Sequence, residues 1–159
     1  MTTKINKIGI FGKPNNKNLY EIIEKIFAPL TTKESGAFNL TDDGAVLPIN
    51  HLMQLVVTTD CLISGSHFFE SDPPNLIARK CLAVNISDLA AMGASPKYFL
   101  LSLSLPRNVK SSWLSKFAQG LKNAQTEWGI TLIGGDTVAN SNNFTTGGWV
   151  AAPAVKRII

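Results

Sequence analysis

Between residues 98 and 133 the hydrophobic period changes twice, and few architectures accommodate that change. Residues 98–105 alternate, with Phe99, Leu101, Leu103 and Leu105 on one side and Ser102 and Ser104 on the other. That is the pattern of a half-buried strand, closed by Pro106. Trp113, Leu114, Phe117 and Leu121 then recur at helical spacing, with Ser111 or Ser112 as the expected cap and Gly129 as the stop. Residues 130–133 form a short apolar strand that runs straight into Gly134-Gly135-Asp136. Strand, helix and strand in this order predict helices layered on a sheet, an α/β or α+β fold.

The preceding segments fit the same plan. Leu19, Ile22, Ile23, Ile26 and Phe27 predict an amphipathic helix that stops near Pro29. An apolar strand over 52–58 ends at Thr58-Thr59-Asp60. Asp72-Pro73-Pro74 reads as a helix start, with Asp72 as N-cap, and Gly93 is placed to end that helix with a left-handed cap. Residues 1–17, with Gly9, Gly12 and Pro14, read as a basic arm.

Charge narrows the functional classes. The chain of 159 residues carries a net charge of +4, but six lysines against two glutamates in residues 1–33 account for all of it. The remainder is neutral, and no basic stripe is interleaved with aromatics, so a nucleic-acid partner is not expected. No run is apolar enough to span a bilayer, nor does the amino terminus resemble a signal peptide; a cytoplasmic, membrane-free protein is the expectation. Cys61 and Cys81 lack metal-ligand spacing and read as reduced thiols. Gly9-Ile10-Phe11-Gly12-Lys13-Pro14 only mimics a phosphate-binding Walker loop, because Lys7 stands where the first glycine belongs and Pro14 where the hydroxyl belongs.

What remains is the distribution of carboxylates. Of six aspartates, five sit beside small or hydroxylated neighbours: Asp42 and Asp43, Asp60, Asp88 and Asp136. Oxygen ligands with little bulk around them suit a hard cation with room for phosphate. Asp88 is the one charge in the fourteen residues 81–94, so a pairing partner or a cation is expected for it. Asn85, three residues earlier, shares its helix face. Each local cluster also has a plain reading. Asp42-Asp43-Gly44 is a turn signature, Thr58-Thr59-Asp60 can end a strand, and the two glycines before Asp136 can serve a tight turn or a close approach to phosphate. His67, in Gly65-Ser66-His67-Phe68, reads as a loop residue. Several carboxylates without a nucleophile point to phosphoryl transfer by metal positioning.

These segments, taken in order, resemble thiamine-monophosphate kinase. The resemblance rests on Thr41-Asp42-Asp43-Gly44, Thr58-Thr59-Asp60, Gly65-Ser66-His67-Phe68, the block 80–94 and Gly134-Gly135-Asp136-Thr137. It covers roughly residues 18–139, and the wider fold is shared with aminoimidazole ribonucleotide synthetase and selenophosphate synthetase. What it implies is a mixed β-sheet with helices packed on one face, in a metal- and ATP-binding amino-terminal domain. It further implies ATP-dependent phosphorylation of thiamine monophosphate to thiamine diphosphate, by direct transfer through several Mg²⁺ ions. Carried over by motif, Asp42, Thr58, Thr59, Asp60, Asp88 and Asp136 are metal ligands. Gly135 and Asp136 touch ATP, His67 touches the thiamine phosphate, and a homodimer forms through the sheet. Thr41 stands where the family usually has glycine, and Arg157 receives no role. Residues 140–159 read as a divergent tail, with Gly148-Trp149-Val150 the one strand-like hint, and a second domain of the family is expected to be missing. The alternatives are a non-catalytic Mg-nucleotide-binding or dimerisation remnant, or a related ATP-dependent synthetase.

Overall fold

A computed structural model describes residues 21–31, 34–42, 44–47, 53–140 and 150–157. The arm 1–17, Leu19, Asp43 and the stretch 141–149 lie outside the described residues. Among the described residues, five strands and two long helices carry the fold: β1 (Met53–Asp60), α1 (Pro74–Ala91), β2 (Ser95–Pro96), β3 (Tyr98–Pro106), α2 (Ser111–Trp128), β4 (Thr131–Asn140) and β5 (Val150–Arg157). β3 and β4 run parallel, joined through α2 as a βαβ unit, whereas β5 lies between β1 and β2 and is antiparallel to both. The mixed α/β architecture is the one expected.

Burial along β3 follows its sequence period. Phe99, Leu101, Leu103 and Leu105 are all buried, and Ser102 and Ser104 are half-buried on the other face. The buried row meets Leu114, Phe117 and Leu121 of α2 and Ile77, Cys81, Leu82 and Leu89 of α1 in one core. Trp113 stacks on Phe117 with ring centroids 5.1 Å apart. Gly120 lets the two helices close, since a Cβ there would sit 2.4 Å from the Asn75 carbonyl oxygen. At the surface the Arg79 guanidinium pairs with both carboxylate oxygens of Glu127 and lies 4.7 Å from the Trp128 ring. That pairing holds the Glu127 carboxyl below its ordinary range.

Helix ends follow the sequence at one side only. Gly93 adopts φ 62° and Ala94 N–H donates to the Leu89 carbonyl at 2.8 Å; Gly129 closes α2 in the same left-handed way. The starts differ from expectation. Pro73 occupies the cap of α1 and Lys110 that of α2, neither with a side-chain capping bond. Asp72 instead closes the preceding turn, its carboxylate accepting the Phe69 N–H at 2.9 Å, while the two prolines after it remove the first two N–H donors of the helix. Ser111 is already the first helical residue of α2. Near Pro29 the first helix ends as expected: a π-helical turn, Ile23–Phe27, gives way to a 3₁₀ turn, Ala28–Thr31, that contains the proline.

Candidate cation and phosphate site

β1 ends against the carboxy-terminal half of α1, and two hydrogen bonds join them. The Thr58 hydroxyl donates to the Asp88 carboxylate at 3.0 Å. The Asp60 backbone N–H donates to the Asn85 side-chain carbonyl at 3.0 Å, and the Asn85 amide donates in turn to the Cys81 carbonyl at 3.0 Å. Thr58 and Asp60 are half-buried, whereas Leu55, Val57 and Thr59 are exposed. Strand alternation explains this split: residues 58 and 60 face α1 and Thr59 points to the opposite side.

Asp88 is exposed, and the partner its apolar surroundings led us to expect is the Thr58 hydroxyl. The buried stripe of α1 runs through Ile77, Ala78, Cys81, Leu82, Asn85 and Leu89, so Asp88 falls just outside it at the rim. The buried polar residue here is Asn85, with no exposed surface. Its neighbour Cys81 is also buried, and burial pushes that thiol up to about 12.

Asp136 does not follow a strand end. β4 runs through both glycines to Asn140, with Asp136 opposite Ser102 and exposed. The reason is a bulge: Phe99 pairs with Leu132 but Leu100 pairs with Gly134, leaving Ile133 as the extra residue. Gly135 has a specific structural task beside it, because a Cβ would lie 1.9 Å from the Leu101 carbonyl oxygen. Its lack of a side chain is thus required by the neighbouring strand.

Asp42 lies in a loop closed at its base by Val46 N–H donating to Gly36 carbonyl at 3.0 Å. A side chain at Gly36 would collide with Val46. Glu34 accepts the Gly36 N–H at 3.2 Å and also reaches Tyr98, whose hydroxyl is raised first by burial and then by that hydrogen bond. Before Asp42 the chain holds three successive residues, Phe38, Asn39 and Leu40, at φ 50–58°. Asp42 itself is exposed.

His67 sits in a tight loop anchored by buried Leu62 and Phe68. Its Nδ1 accepts the Ile63 backbone N–H at 3.0 Å, so the ring proton belongs on Nε2 and the neutral ring offers a donor outward. Gly65 takes φ 80° in this turn, and Lys80 of α1 donates to the His67 carbonyl. His67 is exposed.

The described residues therefore bring Thr58, Asp60 and Asp88 to one junction. No group of three or more His, Cys, Asp or Glu that could hold a metal occurs among them. All-oxygen donors and two carboxylates nonetheless fit Mg²⁺, which uses one or two carboxylates and completes its shell with water and substrate phosphates. Asn85 is a site residue to which no motif assigns a role; its signal in the sequence is an amide in an otherwise apolar helix.

Comparison with known proteins places the chain. Residues 41–152 match the family model described as AIR synthase related protein, N-terminal domain. A curated thiamine-monophosphate kinase of Haemophilus influenzae is 37% identical over 127 residues, which are 79% of this chain and 38% of that protein. The crystal structure of thiamine-monophosphate kinase from Stenotrophomonas maltophilia is 40% identical, with a TM-score of 0.66 over 73% of this chain and 35% of that one. A complex of AaThiL with AMPPCP and TMP has a TM-score of 0.63 at 28% identity, covering 92% of this chain and 45% of the other. The chain spans about two fifths of the length of the curated relatives it matches. With most of its residues under the family model and its strands and helices in the matching fold, the chain belongs to the AIR synthase related proteins, as their N-terminal domain.

Proposed function

We propose that this chain supplies the Mg²⁺- and ATP-binding part of a thiamine-monophosphate kinase. The reaction is transfer of the γ-phosphoryl group of ATP to thiamine monophosphate. The observation that carries this reading is the β1–α1 junction, where Thr58 and Asp88 are bonded directly and Asp60 is held beside them. The relatives named above support it, as does the complex of one of them with an ATP analogue and TMP.

In this reading Asp60 and Asp88 hold Mg²⁺, with Thr58 orienting the Asp88 carboxylate through its hydroxyl. Asp42, Thr59 and Asp136 serve further ions or their waters, and Gly135 and Asp136 lie against the nucleotide. Bound magnesium neutralises charge on the transferring phosphoryl group, the main demand of this chemistry. His67 presents Nε2–H to the substrate phosphate, with Nδ1 occupied by Ile63. No described helix is long and apolar enough to cross a membrane. Leu55 and Val57 on the outer face of β1 are exposed, which suits pairing of two copies through the sheet.

Calorimetric titration with ATP, first in Mg²⁺ and then in EDTA, tests the reading. Binding that needs the metal is expected, and equal binding in both buffers overturns it. Thiamine diphosphate formation, followed on the same sample with its mass by light scattering, separates a catalytic chain from a binding module.

A further inference from the structure

We propose that Asn85 is a positioning residue for the cation site, fixing the strand end that carries Asp60. The inference rests on the magnesium reading of Asp60 and Asp88. Asn85 has no exposed surface, yet both polar ends of its side chain are used, by two different segments of backbone. Its carbonyl holds the N–H of Asp60, the last residue of β1, and its amide holds the Cys81 carbonyl one turn back on α1. Leucine would fill the same space but offer neither bond, and a carboxylate would lack the donor.

The two cross-links are ordered along both elements. Residue 60 is tied to residue 85 and residue 58 to residue 88, so the strand end is registered against the helix at two points. On the strand these points lie about 7 Å apart, two residues on one face. The Thr58–Asp88 tie is at the surface, open to competition from water, while the Asp60 tie is part-buried and its acceptor residue, Asn85, has no exposed surface. The buried amide thus adds to the pairing of Asp60 with Val150 of β5 and still ties the Asp60 backbone to α1 when the surface bond opens. Magnesium demands near-ideal octahedral geometry, so freedom at Asp60 is paid in affinity. Supporting residues one layer behind metal ligands typically account for about 10- to 100-fold in affinity.

The test uses the full chain, Mn²⁺ with ATP as probe, and electron paramagnetic resonance to count free Mn²⁺. Asn85→Leu is compared with Leu114→Ala, a core change on α2 that lowers stability without touching β1. Asn85→Leu is expected to weaken Mn²⁺ binding about tenfold or more, with Leu114→Ala binding as the parent does. Equal binding by the parent and a folded Asn85→Leu chain overturns the proposal. If Asp88→Asn also leaves Mn²⁺ binding unchanged, the magnesium reading itself has failed and the positioning role falls with it. A second measurement needs no variant: in the parent chain the Asp60 amide should exchange slowly without metal and shift on adding Mg²⁺. A fast-exchanging or unresponsive Asp60 amide overturns the proposal.

Discussion

The β1–α1 junction and the loop over residues 34–47 each carry a candidate carboxylate, but they hold it by opposite means. At the junction, residues 25 and 30 positions apart in sequence bond one another over a buried helix stripe, the first pair through the Asp60 backbone N–H and the second through two side chains. In the loop, the bonds are local: Gly36 to Val46, Glu34 to Gly36, and the Thr41 hydroxyl to the Phe38 carbonyl at 2.6 Å. The loop also keeps three successive non-glycine residues in the left-handed region, each a conformational cost. The junction inherits its geometry from the core, whereas the loop holds Asp42 against its own backbone preference. A carboxylate of the first kind is preorganised; one of the second kind depends on what closes over it.

The largest expected effect is on the core side. Gly135→Ala forces a Cβ into the Leu101 carbonyl, and β3 and β4 must part or shift. A loss of about 3 kcal/mol is expected in urea unfolding. An unaffected midpoint would mean that the parallel pair yields easily, and would remove the contrast with the loop.

Alkaline pH probes the same core. The Cys81 thiol is raised by burial to about 12, first by desolvation and then by nearby Cys61. The native state therefore keeps its proton while the unfolded chain, with its thiol near about 8.5, loses it. The stabilising contribution is complete below that value and is lost as pH rises toward 12, at about 1.4 kcal/mol per pH unit in the window. Unfolding curves from pH 8 to 11 for the parent and Cys81→Ala should diverge there; parallel curves would show the thiol to be less confined.

The loop should respond in the other direction. Phe38→Gly removes a left-handed side chain that is 40% exposed and so loses little packing. A gain of about 1 kcal/mol is expected, the relief of strain exceeding the entropy glycine adds to the unfolded chain. A loss of stability would place Phe38 among the anchors of the loop.

The smallest stability effect belongs to Asp88→Asn. Because Asp88 is exposed, the change should stay within about 0.5 kcal/mol while metal-dependent ATP binding falls sharply. A melting point lower by several degrees with unchanged ATP binding would make Asp88 a structural partner of Thr58 alone.

Much of the fold was legible because it repeats a period. The alternation of residues 98–105 and the helical spacing from Trp113 to Leu121 each mark one buried face, and Gly93 and Gly129 mark left-handed stops that local sterics alone demand. β5 was nearly invisible: Pro153 stands inside it, opposite Val57, and proline ordinarily argues against a strand lying between two others. The end of β4 was misjudged at Asp136, since a double glycine reads as a turn until a bulge and a neighbouring carbonyl explain it.

The candidate site divides along the same line. Which residues could bind a cation is a matter of composition, because oxygen donors beside small neighbours declare their chemistry wherever they lie in the chain. Which of them share a site depends on β1 meeting α1, a contact between segments 25 to 30 residues apart that no local pattern encodes. Hence Asp88 could be picked out by sequence but its exposure could not, and Asn85 showed only as an amide on an apolar helix. By itself the sequence determined the periodic elements and the carboxylate chemistry. Tertiary structure alone decided which strand end that chemistry is fastened to, because only packing brings a distant amide to an unsatisfied backbone N–H and seals it from water.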